Sequence, residues 1–251
     1  MAETQAGYYD NPRAALLDLF PAAPARLLDV GCGSGATAAL AKERWPHLET
    51  IGLEIVPEAA ERAAARLDRV ITGSAETIDL VAAGISGVDG VILADVLEHL
   101  VDPWHFLERL HDVLAPDAMI VASIPNVANL WLLEELAAGR FDYTADGLLD
   151  RTHLRFFTRR TITQLFAGAG YAIERWERTT DGRVDDATRR RILGVMLPVP
   201  LAGRVAGRRV TVRGVQTDEA YHDLRTVQFG LLARPRTGKT GGIAGDGPAE
   251  I

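Results

Sequence analysis

The segment that most constrains the fold is a short apolar run that leads, through three closely spaced glycines, into an alanine-rich stretch. Arg26 to Val30 has the composition of a buried parallel strand, and Ala36 to Arg44 has that of a helix. Between them, the glycines of Gly31 to Gly35 let the backbone turn sharply and approach a ligand where a Cβ would intrude. The following helix offers free N–H groups at its start. This order predicts the beginning of an open α/β sheet with a ligand at its edge.

Strands and helices continue to alternate after this turn. The sequence predicts strands and helices, in chain order, at Thr50 to Ile55, Pro57 to Leu67, Arg69 to Thr72, Val88 to Ala94, Pro103 to Leu114 and Ala118 to Ser123. After an interruption that includes a helical stretch from Leu130 to Ala138, Thr158 is placed to cap a helix ending near Gly168. Two further strands are predicted at Tyr171 to Arg178 and Thr226 to Ala233. The expected fold is α/β, Rossmann-like and doubly wound, with a mainly parallel sheet, an antiparallel last strand and a substrate-side insertion.

The remaining segments set the predicted domain boundaries. Residues 1–25 form an N-terminal cap with a short amphipathic helix from Arg13 to Phe20, and residues 26–234 form the main domain. Within that domain, 127–158 is the substrate-side insertion. The segment 179–221, which contains Arg189 to Arg191, fits three interpretations: a lid, a dimer contact or a hairpin arm. The glycine-rich residues 235–251 are predicted to be a disordered tail.

Composition excludes several classes of partner. The formal net charge of -7 over 251 residues argues against a general grip on phosphate backbones, so nucleic acid is not an expected partner. A single cysteine, Cys32, supports neither an internal disulfide nor a thiolate zinc site. No signal peptide and no bilayer-spanning stretch is evident. The sequence therefore predicts a cytoplasmic protein that acts on a small molecule without membrane insertion, with a homodimer left open.

An acidic residue strengthens the ligand prediction. Glu54 ends the second predicted strand, roughly twenty residues past the glycine turn, where a carboxylate can accept both hydroxyls of an adenosine ribose. A nicotinamide dinucleotide needs the same acidic residue, but its fingerprint has three residues from the second glycine to the third, whereas Gly33 and Gly35 are two apart. A tight structural turn beside a surface glutamate also fits. A nucleoside ligand is the favoured interpretation.

Two motifs now resemble a known family. Leu28 to Gly35 (LDVGCGSG) resembles the first motif of class I S-adenosylmethionine-dependent methyltransferases, and Ala94 to Leu100 (ADVLEHL) resembles their motif after strand four. Ser123 to Val127 (SIPNV) and Gly147 to Thr158 (GLLDRTHLRFFT) are similar to a bacterial subgroup often associated with glycan or natural-product biosynthesis. The resemblance covers roughly Tyr8 to Arg178, with the strand from Thr226 as the expected last one.

This resemblance implies S-adenosylmethionine as cofactor, S-adenosylhomocysteine as product, and a set of cofactor contacts. It implies that Asp29 supports the ammonium group, that Glu54 holds the ribose, and that Ile55 packs against adenine. Many relatives have aspartate where this chain has Ser74, and a serine hydroxyl can also accept a hydrogen bond from the adenine amine. It also implies that Gly31 and Gly33 pass beneath the methionine part of the cofactor and that Ala75 contacts the adenine edge. Asp95 and Val96 are implied near the sulfonium, and Tyr9 in a flap over the site. Ordinary aromatic packing explains the flap residues equally well.

Two histidines are candidates for the proton transfer that a hydroxyl acceptor requires. A histidine has a reference pKa of about 6.5, which suits it to accept a proton near neutrality. His99 follows the fourth predicted strand at the rim of the cleft, and His153 lies in a charged stretch before an aromatic pair. Each also fits a structural role, His99 in a hydrogen bond that fixes its loop and His153 in a salt-bridged loop. We expect catalysis from these two histidines, with the choice between them open.

The substrate-binding prediction covers the flap and the insertion. The predicted residues are Tyr8, Asn126, Asp150 and Arg155. Arg155 suits a phosphate or carboxylate on the acceptor, although its stem also fits ordinary packing on the neighbouring phenylalanines. No acidic cluster forms an evident octahedral oxygen site, so metal independence is expected.

The predicted enzyme is a transferase that methylates a hydroxyl, in preference to an amine, on a small molecule. The favoured acceptor is a sugar or glycan intermediate, a choice that rests on the resemblance, and a natural product or quinone precursor comes next. An NAD-dependent oxidoreductase shares the fold and Glu54 but lacks the glycine spacing. A non-catalytic nucleotide-binding scaffold predicts cofactor binding without turnover.

Overall fold

A computed structural model of the chain describes residues 12–180, 201–205, 208–212 and 218–236. Its centre is a seven-stranded sheet in the order β3-β2-β1-β4-β5-β9-β6. The strands of this sheet are β1 Arg26–Val30, β2 Glu49–Glu54, β3 Arg69–Thr72, β4 Val88–Ala94, β5 Leu114–Pro125, β6 Tyr171–Thr180 and β9 Thr226–Pro235. The first five pair in parallel, and β9 runs antiparallel to both β5 and β6. The predicted Rossmann-like fold with its antiparallel last strand is confirmed.

Helices cover both faces of the sheet. They are α1 Ala14–Leu17, α2 Ala36–Arg44, α3 Pro57–Ala64, α4 Pro103–Leu110, α5 Leu130–Ala137, α6 Arg159–Gly168 and α7 Asp218–Arg225. Apolar side chains of α1, α2 and α3 belong to one buried cluster, and those of α4 and α6 belong to the other. Local signals fix several starts: proline stands at the first position of α3 and α4, and Thr158 forms a capping box with Thr161 at α6.

The topology fixes where a ligand can bind. From β1 the chain continues to β2 and β3 on one side, whereas β4 lies next to β1 and continues to β5 on the other side. In open sheets of this type, ligands bind outside the carboxyl ends of the strands at the point where the strand order reverses. That point lies between the ends of β1 and β4, at Val30 and Ala94.

Some boundaries differ from the predictions. The strand β5 extends four residues before and two after the predicted Ala118 to Ser123, because its ends also pair with β4 and β9. The cap helix is only Ala14–Leu17, since the next amides, of Leu19 and Phe20, bond three residues back and tighten the chain. Strand β9 reaches Pro235, and the Arg236 N–H donates to the Gly170 carbonyl. The tail predicted from 235 is thus described only to 236, and the rest lies outside the described residues.

The two segments that interrupt the alternation have different forms. In the insertion 127–158, α5 is followed by irregular chain with isolated bridges, one of which joins Asn126 to Phe157. In 179–221, the described strands β7 Leu201–Val205 and β8 Arg208–Val212 pair antiparallel as a separate two-stranded sheet. The Arg189 to Arg191 run lies outside the described residues. Among the helices that the structure describes, none has the length and apolar character needed to cross a membrane.

Candidate functional site

The glycine turn has the backbone that its sequence predicts. Gly31, Gly33 and Gly35 have φ values of +65°, +57° and +80°, in the left-handed region that side chains other than glycine rarely adopt. A Cβ on Gly31 would lie 2.9 Å from Val96 Cγ2. Glycine is therefore required at this position for two reasons, the backbone angle and the close approach of the segment that follows β4.

Glu54 ties the turn to the end of β2. Its side chain is 4% exposed, and its carboxylate accepts hydrogen bonds from the N–H groups of Gly33 and Val56, each at 2.8 Å. The Glu54 backbone carbonyl accepts from the Gly73 N–H, also at 2.8 Å. Each carboxylate oxygen retains a second lone pair. Glu54 is thus fixed in place beside the turn and can still accept further hydrogen bonds.

Asp29, in β1, has an unmatched buried oxygen. The side chain is 2% exposed, and a backbone hydrogen bond from Ala38 reaches its carboxylate. Its Oδ2 atom has no hydrogen-bond partner among the residues that the structure describes. Burial, with a smaller contribution from the nearby Glu54 charge, raises the pKa of Asp29 from 3.8 to about 7. A buried oxygen of this kind fits a cationic ligand group.

The residues predicted around adenine lie at the next two strand ends. Ile55 follows β2 directly, and its apolar side chain is 64% exposed, which leaves it available to cover a flat ring. Ser74 follows β3, and its hydroxyl accepts from the Glu76 N–H at 3.2 Å. Ala75 is partly buried against the core. The structure therefore places these residues along the edge that carries the glycine turn.

Asp95 begins the segment after β4 in a strained conformation. It is the one residue other than glycine with a positive φ, +55°, in the part of the chain that the structure describes. Its carboxylate accepts from Arg13 at 2.6 Å, from the Ser123 hydroxyl at 2.9 Å and from the Gln228 amide. These contacts come from the cap segment, β5 and β9, so Asp95 joins three distant parts of the chain.

His99 and His153 lie together, although more than fifty residues separate them in sequence. Their rings make an edge contact with 4.7 Å between centroids. His153 is 9% exposed, and burial, together with the His99 charge, lowers its pKa below the ordinary value. Each histidine has Nδ1 near a backbone carbonyl, Thr152 O for His99 and Leu148 O for His153, both at 3.2 Å. Because a backbone carbonyl only accepts, each Nδ1 atom is placed as a donor, which leaves the Nε2 atom of each ring for another partner.

Beside the histidines lies a carboxylate that the sequence analysis did not select. Glu98 is 1% exposed, and neither of its carboxylate oxygens has a hydrogen-bond partner within the described chain. Burial and the neighbouring Asp95 charge raise its pKa well above the ordinary range. The Glu98 backbone carbonyl accepts from the N–H groups of Leu154 and Arg155, which holds the insertion against this segment. The available signal was a glutamate after a buried strand, between Leu97 and the candidate histidine His99.

The predicted substrate-binding residues have varied surroundings. Asn126 is fully buried, and its amide group bonds only backbone atoms, of Asp223, Thr226 and Ala128, so a direct contact with substrate does not fit it. Asp150 accepts from the Thr152 N–H and hydroxyl, at 2.8 and 2.7 Å.

The remaining substrate-binding predictions concern Arg155 and the flap. Arg155 donates to the Val101 carbonyl and lies over the Trp104 ring at 5.8 Å. Its guanidinium is thus held against Val101 and the start of α4. Tyr8 and Tyr9 lie outside the described residues.

Comparison with known proteins agrees with this geometry. Residues 1–175 match a family model described as "Methyltransferase domain". A trans-aconitate 2-methyltransferase of Methylobacterium radiotolerans is 34% identical over 117 residues, 46% of this chain and 44% of that protein. A ubiquinone biosynthesis O-methyltransferase of Cereibacter sphaeroides is 29% identical over 144 residues, 50% of this chain and 57% of that protein. The chain thus spans about half the length of these curated relatives.

A solved structure shares the fold. The S-adenosylmethionine dependent methyltransferase from Mesorhizobium loti superposes with a TM-score of 0.55 and 18% identity, over 88% of this chain and 95% of that one. The family match covers well over half of the sequence, and the glycine turn and Glu54 lie at the carboxyl ends of β1 and β2. The chain therefore belongs to the methyltransferase-domain family, within the class I S-adenosylmethionine-dependent methyltransferases.

Proposed function

We propose that this chain transfers the methyl group of S-adenosylmethionine to a hydroxyl oxygen of a small molecule. The observation that carries the proposal is the contact between the rings of His99, in the turn that follows β4, and His153, whose Nδ1 atoms lie at backbone carbonyls. When bound, the cofactor supplies a methyl group already activated on a sulfonium, so the protein mainly aligns the reactants and excludes water.

On the cofactor side, each proposed contact has a supporting feature. The unmatched Asp29 Oδ2 suits the ammonium group, and the spare lone pairs of Glu54 suit the ribose hydroxyls. The exposed side chain of Ile55 suits adenine, with Ser74 and Ala75 at the ring edge. Gly31 and Gly33 give the backbone room for the methionine part, and Asp95 and Val96 follow near the sulfonium.

On the acceptor side, His99 and His153 assist the loss of the hydroxyl proton, which makes the oxygen a stronger nucleophile. Asp150 acts through Thr152, whose hydroxyl lies 3.1 Å from His99 Nδ1, and so positions the ring. Arg155 is proposed to meet an anionic part of the acceptor, and Tyr8 and Tyr9 to form a flap. Asn126 is not included, since its amide is used by backbone groups.

The acceptor class is proposed from two kinds of support. The motif resemblance favours a sugar or glycan intermediate. Two relatives bear names of O-methyltransferases, one for malonyl-[acyl-carrier protein] and one for ubiquinone biosynthesis, which supports an oxygen acceptor. A quinone precursor or apolar natural product is the second candidate. Exposed apolar side chains on the insertion favour it: Leu133, Leu136, Phe141 and Tyr143.

The first test is calorimetric titration of the full chain with S-adenosylmethionine, S-adenosylhomocysteine and NAD. We expect binding of the two sulfur nucleosides in the micromolar range and none of NAD. Binding of NAD alone would point to hydride transfer, and binding of none of the three would contradict the proposal.

The second test follows methyl transfer from labelled cofactor to a panel of nucleotide-sugars, glycans and catechol-type quinone precursors. We expect His99→Ala and His153→Ala to retain cofactor binding and to slow turnover by about 100-fold or more. His105→Ala, an exposed histidine on α4 with 62% of its side chain accessible, is the matched control. Normal turnover in both site variants would remove the histidines from the mechanism.

A further inference from the structure

Three potential ligand atoms converge on the acceptor side of the site. One carboxylate oxygen of Glu98 and one ring nitrogen each of His99 and His153 all lie within 4.8 Å of one another. Glu98 and His99 are adjacent in a 3₁₀ turn, Leu97–His99, whereas His153 comes from the insertion. The cluster is therefore built by tertiary structure.

Glu98 is the member that most requires a partner. Both of its oxygens are buried and have no hydrogen-bond donor among the described residues. The charge of Arg13 acts on Glu98, but the Arg13 guanidinium forms its ion pair with Asp95. A buried carboxylate without a donor or a counter-ion is strongly unfavourable, and such groups in proteins are normally paired or bound to metal.

The histidines are held in the way that metal-binding histidines usually are. The ring of His99 donates through Nδ1 to the Thr152 carbonyl and hydroxyl, and that hydroxyl donates a hydrogen bond to Asp150. The ring of His153 donates through Nδ1 to the Leu148 carbonyl. Hydrogen bonds of this kind fix the tautomer and direct a basic nitrogen toward a metal.

We propose that Glu98, His99 and His153 bind a divalent transition-metal ion. Two imidazoles and one carboxylate suit Zn²⁺, Fe²⁺, Mn²⁺ or Co²⁺, and three protein ligands leave positions open for a substrate oxygen. Zinc–nitrogen bonds are about 2.0 to 2.1 Å long, so the ligand atoms draw together by small side-chain rotations when the ion binds. The sequence alone predicted metal independence, so the proposal rests on the geometry of this cluster.

The ion deepens the proposed function, on which this role rests. Coordinated to the acceptor hydroxyl, it lowers the pKa of that group and the proton leaves to solvent. The oxygen then forms the new bond to the methyl carbon, the carbon–sulfur bond breaks, and the sulfur keeps the electron pair as a neutral thioether. No oxidant or reductant takes part. The histidines thus assist deprotonation through the ion and do not take the proton themselves.

The experiment measures metal binding without an acceptor. The full chain, with any purification tag removed, is stripped with chelator and titrated with Co²⁺ by visible absorption and with Zn²⁺ by calorimetry. We expect one ion per chain. We expect affinity to fall by more than about 100-fold in His99→Ala and His153→Ala, and by about tenfold in Thr152→Val, which loses only the supporting hydroxyl. Glu98→Gln also weakens binding, and His105→Ala leaves it unchanged.

The outcomes separate this proposal from the proposed function. S-adenosylmethionine titrated into each variant shows whether it is folded. If the natural chain binds no ion, or if the histidine variants that still bind cofactor hold the ion as tightly as the control, the metal site is refuted while cofactor binding stands. If the ion binds but no acceptor is methylated, the metal site stands and the proposed methyl transfer fails.

Discussion

On the proposed cofactor side of the crevice, the N–H groups of the glycine turn bond the neighbouring strand β2: the Gly31 N–H donates to the Leu53 carbonyl and the Gly33 N–H to Glu54. Next to the proposed acceptor side, Asp95 accepts hydrogen bonds from Arg13, Ser123 and Gln228, and on that side His99 contacts His153 from the insertion. The contacts on the first side join only the adjacent parallel strands β1 and β2. The second depends on the packing of segments that are distant in sequence, the cap segment, the insertion and β9.

The largest effect is expected where the two sides meet, in Gly31→Ala. The left-handed backbone costs about 1 to 2 kcal/mol for alanine, and the contact with Val96 costs about 1 to 3 kcal/mol more. We therefore expect a loss of about 2 to 5 kcal/mol in the free energy of unfolding, measured by urea denaturation, together with loss of cofactor binding.

Gly87→Ala is the matched control for this substitution. Gly87 has φ +61°, close to that of Gly31, but an added Cβ there meets nothing within 4 Å. Gly87→Ala should therefore lose only the part of the free energy of unfolding that comes from the left-handed backbone, about 1 to 2 kcal/mol. A double variant with Val96→Ala should recover part of the steric cost, and equal losses in Gly31→Ala and Gly87→Ala would show that the two sides are not in contact there.

The next effect tests how the acceptor side is held together. Asn126→Ala removes three hydrogen bonds from a fully buried position, including those to the Asp223 and Thr226 carbonyls. We expect about 2 to 4 kcal/mol of destabilisation, because buried backbone groups lose their partners. Cofactor affinity should stay within about twofold of the natural chain. A stable variant with impaired acceptor binding would return Asn126 to the substrate site.

Glu54→Ala tests the cofactor side directly. Loss of a charged hydrogen-bond acceptor should weaken S-adenosylmethionine binding by about 1.5 to 3 kcal/mol, measured by calorimetry. Glu54→Gln keeps one carbonyl oxygen and should have a smaller effect. Unchanged affinity in Glu54→Ala would exclude this residue from the ribose site, and the comparison between the two sides would lose its main support.

The smallest expected effect is a pH dependence at Asp29. Because its pKa is raised to about 7, Asp29 is increasingly neutral below that pH and attracts an ammonium group less. Between pH 7 and pH 6, S-adenosylmethionine affinity should fall by up to about tenfold. Methylthioadenosine, which lacks the amino-acid part, is the matched ligand control and should show no such change. Equal pH dependence for both ligands would contradict the role of Asp29.

Asp29 also links pH to the stability of the free protein. Its pKa is higher in the folded state than the ordinary value of 3.8, so its contribution to stability is present below about pH 4 and is lost as the pH rises through about 7. Asp29→Asn removes this dependence. We expect the variant to unfold at a higher temperature than the natural chain at pH 8 while binding the cofactor less tightly.

Local sequence signals were enough for much of the fold. The predicted bounds of β1, β3, β4 and α2 agree with the structure, and Thr158 caps α6 as expected. These elements are specified by apolar runs, glycine turns and caps within a few residues. Boundaries were less well predicted in α1 and β5, where hydrogen bonds to other segments or tighter turns set the ends.

The sequence by itself determined the α/β fold and the elements of the proposed cofactor side, since Asp29, the glycine turn and Glu54 belong to the ends of neighbouring parallel strands. Only the tertiary structure decided the acceptor side. It showed that Asn126 is used by backbone groups, that Arg13 contacts Asp95, and that Glu98 lies buried beside His99 and His153. Those contacts join residues far apart in sequence, and no local pattern specifies which distant side chain fills a given buried space.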